Sequence, residues 1–442
     1  MNASTLLLLG TVLLSFATLT WSLHRWPIWG ICLFTGERVW EGLHAEVGAL
    51  LDIGVGGIGL LPSDVIALGL LASALVRAAR DREALRGGAP LTALLVLLLL
   101  TGFSLLRGTL LYGLQTSGND ARAAFLQVCC VLLYVSTVPD PAKALRAVFR
   151  CWLVGAVVLC ALAAAQWRDV GLGSTTDIVF VDGVRSDSRP LGSPEGLFIA
   201  QAAVMLLCGT CATGRARWLV WPFLCTIVLL QHRSAWLAAA VMLTGLLLSH
   251  RAGSRSRLLA VTGAVALASG GLLALALGLG EGVWESLTAS GTDDRTLLWR
   301  YSGWLELLSH LRGPLDWLLG LPFGSGYTRL MKGVLVTLSP HNFYVHLLLR
   351  VGLVGVGALC VLYASVWRGT AAHPDGPLLR LLVLGQVTFL VTNTFYPEQA
   401  VLLGLVIACA RRAPATLPGR PSTPDAPAPP VPQELSCIAG PR

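Results

Sequence analysis

Five arginines and one histidine are the residues of this chain whose types and positions best suit chemistry. Arg185 and Arg189 lie in VRSDSRPLGSPEG, Arg233 in LLQHRSAW, Arg295 and Arg300 in TDDRTLLWRYSGW, and His341 follows Pro340 in LSPHNFYVHLLLRVGLVG. Each stands where a polar segment meets an apolar one. A guanidinium at membrane depth is expensive, and it is usually retained where it faces a cavity, an anion or a carboxylate. Snorkelling and local pairing with Asp182, Asp187 or Asp294 are the bland alternatives, but Arg233 has no acidic neighbour in sequence. Histidine ordinarily titrates near neutrality, so His341 can take a proton, or it can do no more than sit at a helix start. His346, five residues on, points to a different helix face.

One substrate class suits this set. A lipid diphosphate concentrates negative charge just above its acyl chains. Arginines can hold that charge with bidentate contacts and stabilise it further as the diphosphate departs. Because diphosphate already leaves readily, the reaction needs one base for the incoming sugar hydroxyl, not the two carboxylates of a glycosidase. No HExxH, P-loop or DxD motif is present. GVGGIG, Gly54 to Gly59, satisfies GxGxxG but has no βαβ unit around it, so a turn or close packing is expected. Asp293 and Asp294 read as a solvated pair. Cys129, Cys130, Cys151, Cys160, Cys208, Cys211, Cys225, Cys360 and Cys409 sit in or beside apolar runs and read as packing residues, including the CxxC pair Cys208 and Cys211. No metal site and no cofactor are expected.

The elements that must position these groups are membrane helices. Of 442 residues, 55% are hydrophobic and 13% charged, with a mean hydropathy of +0.70, so the bilayer is the natural solvent. Leu, Ala, Val and Gly dominate, which suits helices packed through small residues better than a barrel. The fold class is therefore all-α, a polytopic membrane protein with about twelve transmembrane helices. The apolar runs fall near residues 4–22, 62–76, 91–107, 123–138, 151–167, 195–213, 218–231, 234–249, 258–279, 343–367, 380–395 and 397–410. The start, MNASTLLLLGTVLLSFATLTW, lacks the basic n-region of a signal peptide and is kept as the first helix. RAARDREALR, KALRAVFR, TGRAR, HRAGSRSR and WRGTAAHPDGPLLR are short and arginine-rich, and the positive-inside rule assigns them to the cytoplasm with both termini. The net charge of +8 is thus a signature of topology and not of nucleic-acid binding. Three extracytoplasmic segments remain, 24–61, 168–194 and 280–340. The last carries Trp and Leu at helical spacing, as expected of amphipathic helices at the interface. Residues 411–442 are Pro-rich and polar, which predicts a disordered cytoplasmic tail after a membrane domain over 1–410. No internal repeat of the transporter kind is visible.

Over most of its length the chain resembles the O-antigen ligase family, lipid-dependent integral membrane glycosyltransferases (GT-C-like) that are similar to the O-antigen polymerases. The resemblance rests on QHRSAW at a helix start, RTLLWRYSGW, LGLPFGSGY and, most specifically, PHNFYVHLLLRVGLVG after a long extracytoplasmic loop. RPLGSPEG departs from the Pro-Asn form often found there. The resemblance implies transfer of a finished glycan from undecaprenyl diphosphate to the lipid A-core oligosaccharide of lipopolysaccharide, inverting, without metal or ATP, at the periplasmic face of the bacterial inner membrane. His341 would correspond to the essential loop histidine and act as general base, Arg233 to the arginine at a helix start, and Arg295 or Arg300 to the loop arginine. With Arg185 and Arg189 these form the expected diphosphate-binding set. A polymerase with the same donor, and a lipid-linked sugar flippase that needs no base, are the alternatives.

Overall fold

The computed structural model of the protein describes residues 3–43, 53–55, 58–80, 88–172, 176–181, 184–209, 214–249, 295–331 and 333–412. The basic segment 250–257, the apolar run 258–279, the segment 280–294 with Asp293 and Asp294, Cys211, and the tail from 413 lie outside the described residues.

What is described is mostly helical. Four helices are long and apolar enough to cross a membrane: α3 (Pro62–Arg80), α4 (Gly88–Tyr112), most of α7 (Pro141–Val170) and α13 (Phe343–Gly369) with the turn that follows it. Shorter helices pack with them: α5 (Leu114–Ala121), running through a π-turn at Arg122–Gln127 into α6 (Val128–Ser136), then α8 (Ser193–Cys208), α9 (Val220–Leu229), α10 (Arg233–Leu248), α14 (Gly376–Phe389) and α15 (Pro397–Arg412). Small residues let these helices approach closely. Gly385 lies against Met242, Gly404 against Val135 and Gly196 against Ala235. Three glutamines inside are joined to one another. Gln201 and Gln399 exchange amide hydrogen bonds at 2.7 and 3.2 Å, and Gln386 donates to the Gln399 carbonyl at 2.8 Å.

Helix ends sort into two groups. At one end Ser193 Oγ donates to Asn393 Oδ1 at 2.9 Å, and Phe343 N donates to the Leu390 and Asn393 carbonyls. At the other, Arg411 donates to the Ser136 carbonyl at 2.8 Å. The first of these is called the site end below.

Three features differ from the sequence reading. Residues 24–61, expected as a connecting segment, contain helix α2 (Pro27–Leu43), which follows α1 (Ala3–Arg25) after a one-residue break. Glu37, Arg38 and Glu41 hold α2's hydropathy down, yet Ile31 and Phe34 are fully buried and Cys32 touches Cys151 of α7, Sγ to Sγ 3.0 Å. Leu19 and Leu23 lie at Gly69, and His24 lies beside Ser73 and Arg77, so α1 runs in the same direction as α3.

The second difference is three small antiparallel hairpins in a chain read as all-α: β1 (Ile53–Val55) with β2 (Ile58–Leu60), β3 (Thr176–Val181) with β4 (Val184–Ser188), and β5 (Arg329–Met331) with β6 (Val334–Val336). β1 and β2 belong to GVGGIG, with Gly54 paired to Gly59, so that motif frames a turn. Third, the 280–340 segment holds helices α11 (Arg295–Leu308) and α12 (Pro314–Leu319), as its spacing predicted, but also β5–β6.

Candidate active site at one end of the bundle

Arg233 opens α10 directly after a strained turn. Gln231 has φ +55°, the one non-glycine at positive φ among the described residues, and it is buried. Such a conformation persists where its surroundings over-determine it. Here Arg189 does so: its Nη1 donates to the Gln231 carbonyl at 2.9 Å and meets His232 Nδ1 at 2.9 Å, while His232 Nε2 bonds the Leu191 carbonyl at 2.7 Å. If His232 Nε2 is the donor to that carbonyl, Nδ1 is left as the acceptor for Arg189. Burial, and then the Arg189 charge, push the His232 pKa down to about 4. Arg189, expected to bind donor diphosphate, thus spends these contacts on the turn that sets Arg233 in place. Arg233 itself is exposed at the helix start.

α11 brings the second arginine. Arg300 donates to the Thr392 carbonyl at 3.3 Å, and burial followed by repulsion from Arg233 lowers its pKa. Two guanidiniums carried by α10 and α11 therefore act on each other across the site end. Arg329, which the sequence reading passed over, supplies a third. It is 5% exposed, and its Nη1 donates to the Tyr327 carbonyl at 3.1 Å and the Leu338 carbonyl at 2.7 Å.

His341 stands among these charges. Asn342, not His341, caps α13, its side chain accepting from Val345 N at 3.1 Å, so His341 sits just outside the helix as a partly exposed residue. Protein around the ring withdraws hydration from the charged form, and Arg300 and Arg329 then oppose a further positive charge, which brings the pKa down to about 4. At neutral pH the imidazole is unprotonated and can accept a proton.

Behind the site, α13 is a broken helix. Gly352 has φ +69° and ψ −170°, a conformation that a side chain would strain, and a Cβ there would fall 2.2 Å from the Leu318 carbonyl oxygen. At the break the Leu349 carbonyl accepts Leu321 N–H at 2.6 Å, so non-helical backbone is satisfied by the neighbouring loop. Arg107 and Ser104 of α4 hold the same loop by the Gly320 and Leu321 carbonyls. The LGLPFGSGY loop is clasped further by buried charge. Arg350 Nη2 meets Asp120 Oδ2 at 2.7 Å and Arg350 Nε donates to Tyr327 Oη at 3.0 Å, while Tyr327 donates to Asp120 Oδ1 at 2.5 Å. With the Tyr327 hydrogen on Asp120, His346 Nε2, 2.5 Å from Tyr327 Oη, is left as a donor. His346 lies edge-on to Phe125.

The structure thus brings Arg233, Arg300 and His341 together and gives Arg189 a supporting position. Arg185 lies in β4, paired with Phe180, and Arg295 opens α11; their side chains lie outside the described residues. Asp120, Tyr327, Arg329 and Arg350 escaped the sequence reading because their meaning is pairwise: α5 and α13 are distant in sequence, and only the fold joins them. The one available signal was a charged Arg350 inside an apolar helix. Among the described residues no three His, Cys, Asp or Glu side chains gather as a metal site. No family model matches this chain, and no curated protein is similar to it.

Proposed function

We propose that this chain is an inverting glycosyltransferase of the O-antigen ligase kind, moving a glycan from undecaprenyl diphosphate to the lipid A-core oligosaccharide without metal. The observation that carries the reading is the place of His341, just outside α13 at a site end where the Arg300 guanidinium acts on both it and Arg233. A diphosphate set against Arg233 and Arg300 would place the anomeric carbon within reach of an acceptor hydroxyl. His341 takes the hydroxyl proton as the oxygen bonds to that carbon from the opposite face. The bond from the carbon to the diphosphate oxygen breaks, and the arginines hold the departing charge. Donor charge beside His341 also offsets the cations that depress its pKa, so the base strengthens when the donor is bound.

In this reading the bundle crosses a bacterial inner membrane about a dozen times, the site end faces the periplasm and the basic loops face the cytoplasm. The test is reconstitution of purified protein with a defined lipid-diphosphate glycan and a lipid A-core acceptor, in chelator. A new glycosidic bond to the acceptor supports the ligase. Extension of one lipid-linked glycan by another would make it a polymerase, passage of the donor across the bilayer without bond formation a flippase, and activity only with added Mg²⁺ or Mn²⁺ would remove the metal-free mechanism.

A further inference from the structure

The groups around His341 leave one charged side chain without a part in the chemistry above. Arg329 begins β5 and is almost wholly buried, and no acid pairs with it among the described residues. One nitrogen, Nη1, reaches both the Tyr327 carbonyl and the Leu338 carbonyl, so a single guanidinium joins the end of the clasped loop to the segment that delivers His341 three residues later. Its Nε has no hydrogen-bond partner among the described residues. Room for it comes from α11: a Cβ at Gly303 would stand 3.0 Å from Arg329 Nε and 3.2 Å from Met331 Sδ. Gly303 lies one turn from Arg300 on the same helix face, so the helix that presents one site arginine is cut back to admit another.

We propose that Arg329 is the positioning residue of this site: it ties the Tyr327 carbonyl to the Leu338 carbonyl and thereby fixes the imidazole of His341 beside Arg300. The proposal rests on the base assignment for its effect on turnover, but not for its effect on the histidine itself. Arg329 works on that ring in two ways. It holds the chain that carries it, and its charge acts on it together with Arg300 of α11, which is itself acted on by Arg233 of α10 and by Tyr396.

The experiment follows carbethoxylation of His341 by diethyl pyrocarbonate against pH in the full-length protein in nanodiscs. The modified residue is identified by peptide mass spectrometry, and only the unprotonated ring reacts. Arg329→Gln should lower the His341 rate at pH 5, relative to its high-pH plateau, by about two- to fourfold as the pKa rises toward its ordinary value. His232, whose two ring nitrogens are both engaged, should stay protected and serves as the folding control. Arg329→Lys should keep the His341 profile, because the charge remains, yet reduce turnover with little change in donor affinity, because a flexible ammonium does not hold the Tyr327 and Leu338 carbonyls as the planar guanidinium does. If Arg329→Gln makes His232 reactive as well, Arg329→Lys decides the matter. Unchanged His341 profiles with wild-type turnover per folded molecule in both variants would overturn the proposal. If the wild-type protein forms no glycosidic bond, the function reading falls while the modification profiles still report on Arg329.

Discussion

Arg350 Nη2 stands 2.7 Å from Asp120 Oδ2, and the arginine is wholly buried. α13 and α5, far apart in sequence, are joined at this point, and the LGLPFGSGY loop is held between them through Tyr327, Ser325 and Gly326. Removing one partner of a buried pair strands the other, at a cost of about 3–5 kcal/mol. Asp120→Asn should therefore lower thermal stability by much more than a surface carboxylate change, and Asp120→Asn with Arg350→Met should recover part of the loss. Additive losses in this double-mutant cycle, followed by thermal unfolding in detergent, would mean that the pair does not couple.

The pH dependence follows from His341. Its folded pKa of about 4 lies below the ordinary histidine value of 6.5, so between these values the unfolded chain binds more protons than the folded one. The stability linked to this group is full above the unfolded pKa and is lost as pH falls through the window from 6.5 toward 4. Activity should follow the unprotonated base. The acid limb of kcat/KM, which reports the free enzyme, should lie below about pH 5, and that of kcat should lie higher, because bound diphosphate raises the pKa. A kcat/KM limb at the ordinary histidine value would contradict the placement of Arg300 and Arg329 around the ring.

Arg233 and Arg300 should respond differently from Arg189. Arg233→Ala and Arg300→Ala should weaken donor binding and turnover together, with lysine recovering only part. Arg189→Ala should act through the Gln231 turn, so its loss should appear as reduced folded protein as well as reduced activity. Donor affinity by titration, beside thermal stability, separates the two. Equal loss of donor affinity with undiminished stability in Arg189→Ala would return that residue to the diphosphate-binding set.

Much of the bundle was legible from apolar runs, because membrane helices satisfy their own backbone and declare themselves by composition. α2 was not, because three charged residues in its second half mask a helix whose first half is buried. The hairpins β3–β4 and β5–β6 follow no strong period-two pattern. His341, Arg233 and Arg300 were visible as isolated polar residues at helix edges. Arg329 was not, since its partners are backbone carbonyls that no sequence pattern marks.

The placement of α2 has its own check. With the other cysteines replaced, Cys32 and Cys151 should form an intramolecular cross-link under mild copper-phenanthroline oxidation, given sulfurs 3.0 Å apart. Persistence of two free thiols by mass spectrometry would mean that α2 does not pack on α7.

The central claim is that His341 takes the proton from the acceptor, and turnover per folded molecule of His341→Ala in the reconstituted transfer assay tests it most directly. A positioned base accounts for roughly two to four orders of magnitude, so turnover should fall by that much while donor affinity stays close to wild type. Near-normal turnover in well-folded His341→Ala would contradict the account.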